Sequence, residues 1–144
     1  MTDLSADFVV PFERSFDALY GLEHLGAGDG EARGRVTVRR RHLGEDGTVR
    51  SGFYAAIAES LASTGTAVEV LPAGLFPSGL SNSTHVVGAV GEDTMVEAVA
   101  RCRARGELEW IWDVEIVPVG GQVAALATVA IAVRKNRFAA RQTG

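Results

Sequence analysis

The stretch from Arg50 to Val70, "RSGFYAAIAESLASTGTAVEV", carries one carboxylate near its middle, Glu59. Glu59, Ser63 and Thr66 stand at i, i+4 and i+7, so on a helix they share one narrow stripe. Ala55, Ala56, Ala58 and Ala62 flank that stripe and leave room for a ligand. A carboxylate so placed can serve as general base or nucleophile. The same helix supplies a second tool. Its first-turn N–H groups, near Gly52 and Phe53, lack intrahelical partners and carry partial positive charge. They suit an oxygen on which negative charge develops. The plain alternative for Glu59 is a solvated acid on an amphipathic helix, since Glu is a good helix former.

Other residue types add less chemistry. Cys102 is the single cysteine, so an internal disulfide is excluded and a reducing compartment fits. It lies in "MVEAVARCRAR", in step with Val96, Ala98 and Ala100, and reads as a buried strand residue. No His–Cys spacing suits a metal, and none is expected. His85 reads as structural, and His24 and His42 have no triad context. Arg39, Arg40 and Arg41 form a basic run that reads as a solvated strand end.

The elements that must position Glu59 follow from periodicity. Phe12, Phe16, Leu19 and Tyr20 have helical spacing, and Gly21 stops that short helix. Val36 and Val38 alternate with polar neighbours, as in a strand, and "GAGDG" (Gly26 to Gly30) before them reads as a hairpin turn. It does not lead from a strand into a helix, which argues against a dinucleotide loop. The main helix starts near Ser51, a candidate N-cap. Tyr54, Ile57, Ala58, Leu61, Ala62, Gly65 and Val68 line its apolar face. "LPAGLFPSG" ends it, with two prolines and two glycines. The rest reads as strands: "LSNSTHVVGAV", "TMVEAVARCRAR", "ELEWIWDVEIV" and "VAALATVAIAVRK". In the third, Leu108, Trp110, Trp112, Val114 and Ile116 share a face. Gly120 and Gly121 turn into the fourth. The order is a short helix, two strands, one long helix and four strands, an α+β pattern in which an antiparallel sheet holds a central helix.

The chain has 144 residues, which fits one domain, residues 1–144. Its formal net charge of −4 argues against nucleic acid as the main partner. The N-terminus carries acids and no long apolar run, unlike a secretory signal. No stretch reaches the apolar length of a membrane span. The expected location is the cytoplasm.

Four segments together carry a likeness: "AIAESLAS" (Ala56 to Ser63), "GLSNSTH" (Gly79 to His85), "EWIWDV" (Glu109 to Val114) and "AIAVRKNR" (Ala130 to Arg137). In their order and spacing the chain resembles the hotdog-fold acyl-CoA thioesterases, particularly the 4-hydroxybenzoyl-CoA thioesterase of the Arthrobacter type. The resemblance runs from about Arg50 to the end, and the first third matches only in layout. It implies a sheet of about five or six strands wrapped around the long helix. It also implies a site shared between protomers. There the helix start of one, Gly52 and its neighbour Ser51, polarises a thioester carbonyl. The glutamate of the other, Glu59, attacks the acyl carbon or activates water, and Ser63 holds the water. A homodimer is then the minimal unit and a homotetramer, a dimer of dimers, the expected assembly. The substrate-binding candidates are Asn82, Tyr54, Trp110, Arg134 and Arg137, with Lys135 beside the last two. Asn82 lines the acyl pocket or ties strand to helix. Trp110 and Trp112 are core by default, with one reaching the pocket. No cofactor is expected beyond coenzyme A as part of the substrate.

The chain departs from that family at several places. Arg50-Ser51-Gly52 stands where the family has His-Gly-Gly, and Gly44 where it has a glutamine. Gly88 replaces an arginine, and Glu107-Leu108 a Ser-Thr pair. The last two changes touch the nucleotide end of coenzyme A, so a carrier protein stays open as the acyl carrier. Two function classes follow. One is a thioester hydrolase acting on an aryl or medium-size acyl group. The other is a non-catalytic hotdog protein that binds an acyl ligand or carrier. A hydratase is a weaker third, because that chemistry needs a His–Asp pair, and the sequence places none beside Glu59.

Overall fold

Asp29 and Gly30 both take positive φ, 53° and 75°. That is the conformation a two-residue hairpin turn requires, and aspartate and glycine adopt it most readily. The turn folds β1 (Glu23–Gly28) back onto β2 (Glu31–Thr37). The computed structural model describes residues 10–135. After β2 come the long helix α2 (Ser51–Val70) and then β3 (Leu75–Val86), β4 (Met95–Arg105), β5 (Glu109–Pro118) and β6 (Ala125–Lys135). Every pairing is antiparallel, and the six strands lie in the order β1-β2-β4-β5-β6-β3. β3, the strand that follows α2, therefore forms one edge of the sheet, beside β6. This is the six-stranded α+β sheet with one long helix that the pattern predicts.

α2 packs on one face of the sheet through small residues. Tyr54, Ile57, Ala58, Leu61, Ala62 and Gly65 are all buried, as their spacing predicts. Two glycines allow the approach. A Cβ on Gly65 would stand 2.5 Å from the Trp112 ring, and one on Gly34 of β2 would stand 3.1 Å from Leu61. Trp112 donates from Nε1 to Thr66 Oγ1 at 3.0 Å, which satisfies its buried N–H.

Three expectations need correction. Phe12 to Tyr20 is not one helix. Phe12–Arg14 is a 3-10 turn, and α1 spans only Phe16–Tyr20. Ser15 breaks the run: it is extended, and its hydroxyl accepts from Ala18 N–H at 3.2 Å as an N-cap. Of the four apolar residues there only Tyr20 is buried, while Phe16 and Leu19 are 68% and 70% exposed. Second, the strand after α2 begins at Leu75, earlier than Leu80, and ends at Val86. A short 3-10 turn, Leu71–Ala73, ends at Gly74 with φ 76°, and β3 begins at once. Pro77 sits inside β3, where an edge strand tolerates its missing N–H. Third, Leu108 precedes β5 and is exposed, so the buried face starts at Trp110.

Gly65→Ala is expected to destabilise the protein by about 1–2 kcal/mol. The overpacking cost against the immobile Trp112 ring exceeds the gain in helix propensity. Thermal or urea denaturation of the variant checks this.

Candidate active site

The start of α2 is held by the loop before it. His42 is buried and stacks on Phe53, with ring centroids 4.2 Å apart. Its Nδ1 accepts from Arg39 N–H at 2.9 Å and its Nε2 lies 2.8 Å from the Tyr20 carbonyl oxygen. These partners assign the neutral tautomer with the proton on Nε2, and burial holds its pKa below the usual histidine value. Arg50 N–H then donates to the His42 carbonyl, and the Arg50 carbonyl accepts from Phe53 N–H, both at 3.0 Å. The extended residue is Arg50, so Arg50 occupies the N-cap position and Ser51 is the first helical residue. Ser51 is therefore not the cap, and no side chain takes that role. Ser51 and Gly52 are exposed, and a Cβ on Gly52 would meet nothing within 4 Å. Their N–H groups stand at the positive end of a 20-residue helix.

Two turns further on, Glu59 is exposed in the protomer and lies against β3. A Cβ built on Gly79 would stand 2.5 Å from Glu59 Oε1. Ser63 follows one turn later, partly exposed. The polar stripe stops there. Thr66 is fully buried, and its hydroxyl donates to the Ala62 carbonyl at 2.8 Å while accepting from Trp112. It belongs to the packing of α2 on β5 and not to the Glu59 stripe.

Asn82 resolves toward the tie. Its Nδ2 donates to the Ala55 carbonyl at 2.9 Å, and its Oδ1 accepts from Thr84 Oγ1 at 2.7 Å. It fastens β3 to α2 one turn before Glu59. Tyr54 is fully buried in the core, and its hydroxyl has no hydrogen-bond partner among the described residues. Burial raises its pKa. Trp110 is buried beneath the Arg105 guanidinium, 4.7 Å from the ring centroid, with Trp112 stacked beside it. Arg134 is exposed on β6, and its Nη1 donates to the Leu108 carbonyl at 2.8 Å. Lys135 is exposed at the end of the same strand. Arg137 lies outside the described residues.

Two features escape sequence reasoning. The first is the place of the Arg50 side chain. A Cβ on Gly44 would stand 2.5 Å from Arg50 Nε and 2.7 Å from its Cζ, so the guanidinium fills the space a side chain at 44 would take. The bare glycine at 44 is the available signal. The second is a polar cluster on another face of α2. Asp17 accepts from Tyr20 Oη at 2.8 Å and from Ser60 Oγ, and His24 Nε2 lies 3.5 Å from the same carboxylate. The carboxylate is the centre and the histidine does not stand between it and the serine, so no relay activates Ser60. The cluster ties α1 and β1 to α2. Partial burial pushes the Asp17 pKa up, but bonds from His24, Ser60 and Tyr20 outweigh that and hold it below the usual value.

No protein-family model matches the chain. Solved structures do. A thioesterase of Pseudomonas aeruginosa, solved as a variant, superposes with TM-score 0.79 over 85% of this chain and 88% of its own, at 23% identity. A protein of Mycobacterium tuberculosis assigned as an esterase superposes with TM-score 0.80 over 85% of this chain and 98% of its own, at 30% identity. The chain belongs to the hotdog-fold family of this mycobacterial protein. A variant of the phenylacetic acid degradation protein of Thermus thermophilus is a further structural relative of this hotdog chain. It has 27% identity and TM-score 0.73 over 81% of this chain and 96% of its own. In this hotdog chain, then, the fold sets Glu59 and Asn82 where α2 meets the edge strand, with Ser63 one turn beyond Glu59 on the helix. It sets Ser51 and Gly52 at the far end of the same helix and leaves Tyr54 and Trp110 in the core. Among the described residues, no helix is long and apolar enough to cross a membrane.

Asp17 gives a pH-dependent contribution to stability. Its folded pKa is depressed below 3.8, so the contribution is complete above that ordinary value and is lost as pH falls through the folded one. Asp17→Asn is expected to cost about 1–2 kcal/mol at neutral pH, with the deficit shrinking in acid. Urea unfolding across that range measures the closing gap.

Proposed function

We propose that the protein hydrolyses an acyl thioester, with Glu59 as general base or nucleophile and the α2 helix start as oxyanion hole. The observation that carries this is the position of Glu59, at the junction of α2 with an open edge strand. It lies down the helix from an uncapped and unobstructed N-terminus. Within one protomer the two tools are too far apart. Seven residues separate Gly52 from Glu59, which is about 10 Å along the axis. A thioester carbonyl needs its oxygen donor and its attacking group each within about 3 Å. The site is therefore incomplete in a single chain, and a second copy supplies the missing half.

β3 is the edge on which a second copy docks. Among the described residues no strand lies beyond β3, and Leu80 in mid-strand, Val86 at its end and Val87 just after it are 53%, 46% and 58% exposed. Pairing β3 with its symmetry mate brings the Glu59 of one protomer toward the helix start of the other. A homodimer is then the minimal unit, and a dimer of dimers a further step.

In the general-base form, Glu59 takes a proton from a water held by Ser63. The hydroxide oxygen bonds to the acyl carbon, and the N–H groups of Ser51 and Gly52 hold the oxyanion. The C–S bond then breaks. The thiolate leaves and is protonated, and a carboxylic acid remains. In the nucleophilic form Glu59 itself bonds to the acyl carbon, the C–S bond breaks and the thiolate leaves and is protonated, and water then hydrolyses the anhydride to the acid and a free Glu59 carboxylate. An aryl or medium-size acyl group follows from the Arthrobacter-type likeness of the four segments. Coenzyme A is the first carrier to test, with a carrier protein as the other. Arg134 and Lys135 are the candidate phosphate contacts among the described residues.

One observation favours a second reading, an acyl-binding protein without turnover. Arg50 fills the space over Gly44, where the family has a glutamine.

A panel of aryl and aliphatic acyl-CoA thioesters, with the released thiol trapped by a coloured reagent, separates the two. Turnover is expected, reduced on the order of 10²–10⁴-fold in Glu59→Ala and retained in His85→Ala. Wild-type binding without turnover overturns the hydrolase reading. The solution mass of the wild type checks the second copy.

A further inference from the structure

Gly79 lies inside β3, away from any turn, and its φ is negative, so its backbone does not demand glycine. What excludes a side chain there is Glu59. A Cβ on Gly79 would stand 2.5 Å from Glu59 Oε1, 3.0 Å from Cδ and 3.6 Å from Cγ. The carboxylate rests directly on the bare strand.

The strand is bent to make this so. In a regular strand alternate residues face alternate sides, which would put positions 79 and 82 on opposite faces. Both face α2 here, because Gly79 meets Glu59 and Asn82 donates to the Ala55 carbonyl. The pairing with β6 explains how. Gly79 is opposite Ile131 and Ser81 is opposite Ala130, so Leu80 is an extra residue, a β-bulge. The bulge shifts the alternation by one. It lets Asn82 fasten the strand to the helix while Gly79 turns its Cα toward the acid.

We infer that Gly79 is a positioning residue for Glu59: its bare Cα, turned inward by the Leu80 bulge, is the seat that sets where the catalytic carboxylate stands. The inference rests on the hydrolase reading above and adds a residue to it. The atoms that meet the seat are the far end of a flexible side chain. A methyl group there displaces the acid and leaves the fold intact. In a site where about 1 Å of misplacement costs on the order of 10²-fold in rate, that displacement is large.

The test is Gly79→Ala, alone and with Glu59→Asp, in the acyl-CoA assay. Gly79→Ala is expected to lower kcat on the order of 10²-fold, with KM, melting temperature and solution mass close to wild type. Glu59→Asp draws the acid back by one methylene, away from the seat. The alanine then adds little, and the double variant matches Glu59→Asp alone. Wild-type kcat in Gly79→Ala, or losses that multiply in the double variant, overturns the inference. A spectroscopic arm separates its failure from that of the hydrolase reading. With 13C-labelled glutamate side chains, the Glu59 carboxyl signal moves in Gly79→Ala and stays in Ser78→Ala, whether or not the protein turns over substrate. An unmoved signal in Gly79→Ala sinks the seat. A moved signal in a wild type without turnover sinks only the hydrolase.

Discussion

The backbone of α2 lies close against the sheet, and everything at the site depends on that distance. Gly65 admits the Trp112 ring at one end of the contact, Gly34 admits Leu61 beneath it, and Gly79 admits the Glu59 carboxylate at the sheet edge. Larger residues at Gly65 or Gly34 would lift the helix and widen the gap that Asn82 now closes with one bond to Ala55. The same small residues keep the hydrophobic contribution per residue low, since alanine and glycine bury little apolar area. Trp112, Tyr54, Ile57 and Leu61 offset this by filling the core completely.

The fold is largely legible in the sequence, because its signals are local. The i, i+3, i+4 run from Tyr54 to Val68 and the alternation in β4 and β5 depend only on near neighbours. The failures come where a nearby polar group or a distant partner decides the outcome. Ser15 caps α1 and splits a run that helical spacing joins. Pro77 reads as a terminator, although an edge strand has no ladder bond for it to break on its open side. Thr66 reads as part of the Glu59 stripe because i, i+7 is a helical neighbour. Seven residues span about 700° and not 720°, so the stripe drifts, and here it drifts under the Trp112 ring.

The site is legible in its parts and not in its arrangement. The acid, the hydroxyl and the helix start can each be named from residue type and spacing. No local pattern shows that Asn82 spends its amide on the helix backbone, or that Asp17 and Ser60, 43 positions apart, share a bond. Tyr54 shows the converse: its periodicity says core and the family resemblance says substrate, and its complete burial follows the periodicity.

The start of α2 shows what this arrangement costs. A long helix is steadied by a capping side chain and by acids in its first turn, each worth up to about 1 kcal/mol. This helix has neither, and its N-cap position holds a cation, Arg50. The guanidinium leans back over Gly44. An aspartate at the cap would take the first-turn N–H donors for its own carboxylate and close the site proposed for an oxyanion. Stability is given up at one end of α2 and recovered along its length, in the packing against Trp112, Leu61 and Ile57. A helix held so firmly by its apolar face can leave its positive end uncapped.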